Sequence, residues 1–147
     1  VAGLVGESGL WGLFNNAGVS VNGPIEFLGP DDLRRQLEVN LIGQVAVTQA
    51  FLPLLRQARG RVVTTGSIAG FFALPGLAAY CMSKYAIEAF SDALRREVRP
   101  WGIEVSLLEP GEIATDTVHG AELDTVMTNS FGFGGTNGSM LLSRHRG

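Results

Sequence analysis

Three short apolar runs alternate with two long amphipathic stretches along this chain. The runs are Leu10–Phe14, Arg61–Thr65 and Ile103–Leu108, and a turn rich in Gly, Pro or Asn follows each of them. Apolar residues recur at helical spacing over Asp31–Ala58 and Ala78–Arg99. Strands buried on both faces read as continuous apolar runs, and their alternation with helices is typical of a parallel sheet covered by helices. The pattern therefore predicts an α/β fold.

The two predicted helices carry recognisable start and stop signals. Pro30 and the aspartates after it favour a helix start, and Gly60 favours its end. Pro100 and Gly102 end the second helix. In the first helix, helical spacing is continued by Leu33, Leu37, Leu41, Val45 and Thr48. In the second, the residues near one face are Ala79, Ala86, Phe90, Ala93 and Glu97.

Candidate ligand-binding residues follow the predicted strands. In open sheets of this kind, ligands bind beyond the carboxyl ends of the strands. Three places qualify here: Asn15–Gly18, Ser67 and Pro110–Thr115.

Composition narrows the class of protein without identifying a partner. The chain has 147 residues, 46% of them hydrophobic and 17% charged, with a net charge of -3. This is typical of one globular domain and gives no electrostatic footprint for nucleic acid or an anionic membrane. The single cysteine, Cys81, fits a reducing compartment, and we expect a cytoplasmic protein with no signal peptide or membrane span. Because it begins at Val1, it is also compatible with a piece of a longer protein.

The strongest local signal is the pair Tyr80 and Lys84. Lys84 is the only lysine in the chain and follows one of only two tyrosines by four residues. On a helix this spacing places both side chains on one face. A tyrosine can exchange protons near neutral pH only if its phenolate is stabilised, as a neighbouring ammonium does. The alternative is a half-buried helix tyrosine with Lys84 extended beside it.

Two further polar residues support the chemical interpretation. Ser67 follows a predicted strand, where its hydroxyl could bond a substrate carbonyl and share in proton transfer. Asn40 lies in the middle of a predicted helix, where asparagine is a mediocre helix former and is usually exposed.

These positions, with Asn15–Gly18 and Pro110–Gly111, resemble the short-chain dehydrogenase/reductase family over about residues 10–116. The resemblance implies a partial Rossmann-like, doubly wound parallel sheet. It implies that Tyr80 is the general acid/base, that Lys84 stabilises the phenolate and holds the nicotinamide ribose, and that Ser67 polarises the carbonyl. Asn40 would anchor a water that continues the proton relay.

The same resemblance implies a bound NAD or NADP. The residues that would contact it are Asn15, Ala17, Gly18, Tyr80, Lys84, Pro110, Gly111 and Thr115. No metal ligands are implied. The family implies a small alcohol or carbonyl compound as the substrate. The segments around Gly12–Gly18 and Tyr80–Arg96 look most like enzymes that act on steroids, retinoids and similar lipid alcohols, so the resemblance implies a lipid-like substrate.

The beginning of the chain departs from the family pattern. Members open with a strand, a turn of the form T-G-x-x-x-G-x-G and a helix that receives the pyrophosphate. Gly3, Gly6 and Gly9 have the wrong spacing for that turn. We therefore expect a fold truncated at the N-terminal side, with impaired cofactor binding.

The end of the chain raises a different question. Asn129–Asn137 is rich in glycine, but a dinucleotide fingerprint would need a glycine at Asn137. We expect a strand around Met140–Leu142 instead of a phosphate-binding helix. Residues 122–144 resemble the C-terminal end of the β-ketoacyl synthases, although no cysteine and histidine set for condensation can be mapped.

We accordingly divide the chain into a partial dehydrogenase domain, 1–118, and a synthase-like tail, 119–147. A truncated or artificially joined reading frame is favoured over a natural fusion. Three functions stay open: an NAD(P)-dependent oxidoreductase or a fragment of one, a synthase-related protein, or a non-catalytic module. In the last, as in the first, the two long helices would form a homo-oligomer.

Overall fold

The computed structural model describes residues 8–111, 125–131 and 137–143. Within these residues, five strands form one sheet in the order β3-β2-β1-β4-β5. The strands are β1 (Gly12–Asn15), β2 (Arg61–Thr65), β3 (Glu104–Leu108), β4 (Thr125–Phe131) and β5 (Asn137–Ser143). β1 runs parallel to both β2 and β4, and β2 runs parallel to β3, whereas β5 is antiparallel to β4. The three strands predicted up to residue 108 are confirmed.

Two long helices connect the first three strands. Helix α1 spans Pro30–Ala58 and contains a π-helical turn at Glu38–Ile42. Helix α2 spans Ala78–Val98 and continues into a 3₁₀ turn, Arg99–Trp101. Both predicted helices are therefore confirmed. Two shorter 3₁₀ turns, Ile25–Phe27 and Ile68–Gly70, lie in the connections.

Both helices pack on the same face of the sheet. Leu13, Val62 and Val105 are in register on neighbouring strands and are buried together. Leu55 of α1 and Leu94 of α2 complete this core. Burying a side chain of this size contributes roughly 1.5–3 kcal/mol, so the common core fixes the two helices against the strands.

A close backbone approach delivers the chain from α1 into β2. A Cβ at Gly60 would lie only 2.5 Å from the carbonyl oxygen of Leu10 and 2.7 Å from that of Trp11. Only glycine fits this link, because any side chain would push β2 away from the segment that enters β1.

The opposite face of the sheet carries an apolar groove. It encloses about 330 Å³ and is lined by residues including Trp11, Phe14, Val63 and Leu108. Ser67, Tyr80 and Lys84 do not line it. The groove is therefore separate from the predicted chemistry.

The residues at helical spacing are mostly not the ones that the structure buries most deeply. In α1 the leucines Leu33, Leu37 and Leu41 are only half-buried, whereas Thr48 is buried together with Gln36, Asn40, Gln44 and Leu55. In α2, Ala79 is buried but Ala93 and Glu97 are exposed, while Ile87, Leu94 and Val98 are buried. Apolar spacing alone therefore does not locate the buried face of either helix.

The tail supplies backbone to the sheet. β4 pairs with the edge of β1 that β2 leaves free. The strand expected around Met140–Leu142 is confirmed as part of β5. Residues 132–136 of the glycine-rich stretch lie outside the described residues. Because a strand and not a helix follows them, the stretch lacks the helix N-terminus of a dinucleotide fingerprint.

In the described part of the chain, one helix is long and apolar enough to cross a membrane. It is α1, with a mean hydropathy of 1.2 over its best window. Core helices and signal sequences pass the same test, so this is weak evidence, and the expected absence of a membrane span stays a prediction.

Candidate active site

Lys84 lies at the centre of the candidate site. Its side chain is only 4% exposed, and its Nζ donates a hydrogen bond to the carbonyl oxygen of Thr65 at 2.7 Å. Nζ also lies 5.7 Å from the centre of the Tyr80 ring. Helix α2 therefore holds the predicted Tyr-Lys pair together against the end of β2.

The environment of Lys84 favours its neutral form. Burial lowers the pKa of Lys84 from 10.5 to about 8, and the carboxylate of Glu88 opposes this by stabilising the ammonium. An amine with such a pKa can exchange protons near neutral pH, which an exposed lysine does poorly.

Ser67 is positioned by the turn that follows β2. It is buried, and its Oγ accepts a hydrogen bond from the backbone N–H of Ala69 at 3.2 Å. The N–H of Ile68 donates to the carbonyl oxygen of Pro110 at 3.2 Å. The N–H of Gly66 donates to the carbonyl oxygen of Leu108 at 2.7 Å. Ser67 thus lies two residues after Thr65, the acceptor of Lys84, on a turn tied to the end of β3.

Glu88 packs against the same turn. A Cβ at Gly70 would lie 2.8 Å from Glu88 Oε1, and one at Gly66 would lie 3.3 Å from it. Oε1 is buried and has no hydrogen-bond partner among the residues that the structure describes. Burial raises the pKa of Glu88, as do the charges of Glu109 and Asp92, whereas Arg95 and Lys84 lower it.

Asn40 is fully buried in the π-helical turn of α1. Its Oδ1 accepts from the N–H of Val19 at 2.8 Å, and its Nδ2 donates to the carbonyl oxygen of Val19 at 3.0 Å. Nδ2 also donates to Ser83 Oγ at 3.0 Å. Asn40 therefore joins the segment after β1 to the helix that carries Tyr80.

The predicted cofactor-binding residues occupy different settings. Asn15 is buried and donates to Thr48 Oγ1 at 2.8 Å, and Ala17 is buried as well, so both stabilise the core. Gly18 is half-buried, and Gly111 is exposed. The carbonyl oxygen of Pro110 holds the Ser67 turn, and Thr115 lies outside the described residues.

The structure thus brings Asn40, Tyr80 and Lys84 together with the end of β2 that leads to Ser67. A phenol, a buried amine and a hydroxyl at one strand end can exchange a proton with a substrate oxygen. Sequence reasoning missed five polar side chains around this group: Gln36, Gln44, Thr48, Ser83 and Glu88. The four-residue spacing of Gln36, Asn40, Gln44 and Thr48 was the signal that could have found three of them.

The nicotinamide end of a dinucleotide fits these residues better than the pyrophosphate end. The Lys84 ammonium has three N–H donors, and Thr65 is the one acceptor identified for it, so donors are left for ribose hydroxyls. In the described residues no glycine-rich turn leads from a strand into a helix to receive a pyrophosphate. The same residues contain no group of three or more His, Cys, Asp or Glu that could hold a metal ion.

Comparison with known proteins yields one family. Residues 4–125 match the profile of the short chain dehydrogenases, beyond both ends of the range expected from the motifs. Retinol dehydrogenase 16 of Rattus norvegicus is 48% identical over 122 residues, which are 82% of this chain and 38% of that protein. The mitochondrial D-beta-hydroxybutyrate dehydrogenase of Mus musculus is 50% identical over 111 residues, which are 76% of this chain and 32% of that protein.

Solved structures give the same result. A short-chain dehydrogenase from Streptomyces avermitilis superposes with a TM-score of 0.68 and 37% identity, over 71% of this chain and 39% of that one. An NAD+-bound xylitol dehydrogenase superposes with a TM-score of 0.66 and 35% identity, over 68% of this chain and 39% of that one. The chain therefore spans between 32% and 39% of the length of these four proteins.

Proposed function

Because this chain belongs to the short-chain dehydrogenase family, we propose that it is an NAD(P)-dependent oxidoreductase, or a fragment of one, that interconverts an alcohol and a carbonyl. The observation that carries the proposal is the buried Lys84, held beside Tyr80 and bonded to the end of β2. The names of the relatives, retinol and D-beta-hydroxybutyrate dehydrogenases, support the reaction class.

In this proposal each residue has a defined task. The nicotinamide, when bound, supplies or accepts the hydride. Tyr80 holds the proton that the substrate oxygen gains or loses, and the Lys84 ammonium stabilises its phenolate. Ser67 donates a hydrogen bond to the carbonyl, and Asn40 fixes the helix turn beside Tyr80 and anchors the relay water.

The proposed substrate is lipid-like. The segment after Ser67 exposes several large apolar side chains to solvent: Ile68, Phe71, Phe72 and Leu74. Such a patch beside the hydroxyl that would bind a carbonyl fits an apolar alcohol better than a charged one.

The test begins with cofactor binding by the full chain. We expect NADH or NADPH fluorescence to change on titration with the protein. If the fluorescence does not change at high protein concentration, the proposal is refuted for this chain. Tyr80→Phe is expected to abolish turnover while cofactor binding is retained. Tyr85→Phe is the matched control, because Tyr85 is exposed on the same helix. Turnover retained by Tyr80→Phe would refute the role of Tyr80.

A second candidate rests on the tail. The family match ends at residue 125, whereas the glycine-rich stretch Asn129–Asn137, which resembles the β-ketoacyl synthases, lies beyond it. Condensation needs an accessible cysteine nucleophile, and Cys81 is 2% exposed. We expect Cys81 to react slowly with a thiol reagent in the folded chain. Rapid reaction at pH 7 would remove this objection to the synthase-related alternative.

Self-association through the two long helices is the third candidate. Ile42 of α1 and Met82 and Tyr85 of α2 are exposed apolar side chains on these helices. Sedimentation velocity is expected to detect a dimer or larger species. A monomer at all concentrations would exclude this role.

A further inference from the structure

A row of polar side chains on α1 faces the segment that leaves β1. Its members are Gln36, Asn40, Gln44 and Thr48, which we call the polar ladder. All four are at most 1% exposed. They are among the most deeply buried side chains of the described residues, although buried polar groups are uncommon unless hydrogen-bonded.

Successive side chains of the polar ladder form hydrogen bonds with every second residue of the segment 15–21. Thr48 Oγ1 accepts from Asn15 Nδ2 at 2.8 Å, and Gln44 Nε2 donates to the carbonyl oxygen of Ala17 at 2.6 Å. Asn40 bonds both backbone groups of Val19. Gln36 Nε2 donates to the carbonyl oxygen of Val19 at 2.7 Å, and its Oε1 accepts from the N–H of Val21 at 2.7 Å.

The match follows from the periods of the two elements. Four residues advance a helix by about 6 Å, and two residues advance an extended chain by about 6.6 Å. A side chain at every fourth helix position therefore meets every second residue of the segment. Asn16 and Asn22, at positions outside this alternation, are exposed.

The polar ladder takes the place of a neighbouring strand. The segment has left the sheet, so Ala17 O, Val19 N–H, Val19 O and Val21 N–H receive their partners from side chains of α1. A buried backbone group without a partner costs roughly 1–3 kcal/mol, so the ladder decides where this segment lies.

Ser83 connects the polar ladder to the helix that carries Tyr80. It is fully buried, accepts a hydrogen bond from Asn40 Nδ2, and donates one to the carbonyl oxygen of Tyr80 at 2.7 Å. One chain of hydrogen bonds therefore runs from Val21, through Gln36, Val19, Asn40 and Ser83, to the backbone of Tyr80.

We propose that Gln36, Gln44 and Ser83 are positioning residues, which set the segment 15–21 at a fixed distance from the Tyr80 helix. They act through Asn40 and the backbone of the segment, and none of them contacts the reacting atoms. The catalytic consequence rests on the proposed function, whereas the structural device can be tested without it.

The structural test is amide hydrogen exchange of the full chain by NMR. In the unchanged protein, we expect the N–H groups of Val19 and Val21 to be protected like those of a strand, and the N–H of exposed Asn22 to exchange fast. If Val19 and Val21 exchange as fast as Asn22, the proposal is overturned, and this reading needs no variant.

The variant test compares two glutamines of α1. Gln36→Leu is expected to accelerate exchange at Val21 at least about tenfold, the equivalent of 1.4 kcal/mol. Gln49→Leu, an exposed position on the same helix, should leave Val21 unchanged. Gln36→Glu keeps an acceptor for the Val21 N–H, but its carboxylate cannot donate to the carbonyl oxygen of Val19, so it should retain only part of the protection. Equal effects of the Gln36→Leu and Gln49→Leu substitutions would refute the role of Gln36.

Ser83 is tested against a second buried serine of α2. Ser91 is also fully buried, but its Oγ has no hydrogen-bond partner. Ser83→Ala should destabilise the chain and, if the proposed function holds, lower kcat more than it weakens cofactor binding; Ser91→Ala should do neither. Identical effects of the two substitutions would overturn the assignment. If Val21 is protected as expected but neither the unchanged chain nor any variant turns over, the polar ladder stands and only the proposed function is refuted.

Discussion

The segments that follow β1 and β2 emerge at the same edge of the sheet, but they are held differently. Residues 15–21, which begin at the last residue of β1, are bonded along their length by four buried side chains of one helix. After β2, hydrogen bonds from Gly66 and Ile68 hold the start of the segment and one from the N–H of Gly23 to the carbonyl oxygen of Gly76 holds its end, whereas residues 71–75 between them are all exposed.

This difference separates two tasks at one site. A segment whose backbone partners are fixed side chains is preorganised and has little freedom to adapt. A segment that is held at its two ends and exposes apolar side chains between them can adjust to what covers it. Under the proposed function, the first would serve the constant part, the cofactor, and the second the variable part, the substrate.

The largest effect is expected from breaking the first segment at its centre. Asn40→Leu leaves the N–H of Val19 and the Oγ of Ser83 without the partners they now have. Each group costs roughly 1–3 kcal/mol, so we expect a loss of about 3 kcal/mol in the free energy of unfolding, measured by urea denaturation.

The control for Asn40 is Asn22→Leu, an exposed asparagine in the connection that follows the same segment. We expect it to change stability by less than about 0.5 kcal/mol. Comparable losses from the two substitutions would contradict the special role of the buried amide.

The second-largest effect is expected near the start of the segment that follows β2. Gly70→Ala places a methyl group 2.8 Å from Oε1 and 3.0 Å from Cγ of Glu88. Because a flexible side chain can yield in part, we expect a smaller loss, about 1 kcal/mol. For Gly111→Ala, no atom of the residues that the structure describes lies within 4 Å of the added group, so we expect no change in stability.

A double variant decides whether Glu88 is the cause. In the Glu88→Ala background the clash is removed, so Gly70→Ala should cost less than it does alone. Additive losses would show that another neighbour limits Gly70.

The first three strands, the bounds of the two long helices and the closeness of Tyr80 to Lys84 could be predicted because they depend on local patterns. Apolar runs mark β1, β2 and β3, and the four-residue spacing of Tyr80 and Lys84 places them on one helical face. The single lysine made that pair easy to notice.

The polar ladder could not be predicted from the same rules. Apolar residues at helical spacing, here Leu33 to Val45, are expected to be buried in preference to the glutamines of the same helix. Gln36, Asn40 and Gln44 are buried instead because backbone groups 15 to 27 residues away satisfy their amides. The four-residue spacing of these residues is visible in the sequence, but it does not show which distant backbone groups would satisfy them. The fit of Glu88 against Gly66 and Gly70 is hidden for the same reason.

The smallest effect is expected from removing the charge of Glu88, which packs against the Ser67 turn and favours the ammonium of Lys84. As the only lysine, Lys84 gives a single resonance in an isotope-labelled NMR titration, and we expect a pKa of about 8. The folded chain therefore binds fewer protons than the unfolded chain between pH 8 and 10.5, and stability should rise with pH across that window.

The charged groups acting on Glu88 are Lys84, Asp92 and Arg95 of α2 and Glu109 after β3. Because its carboxylate favours the ammonium, Glu88→Gln should lower the pKa of Lys84 further, whereas the exposed Glu97→Gln should not. A pKa of Lys84 that stays the same or rises in Glu88→Gln would contradict the stabilisation of its ammonium by the Glu88 carboxylate.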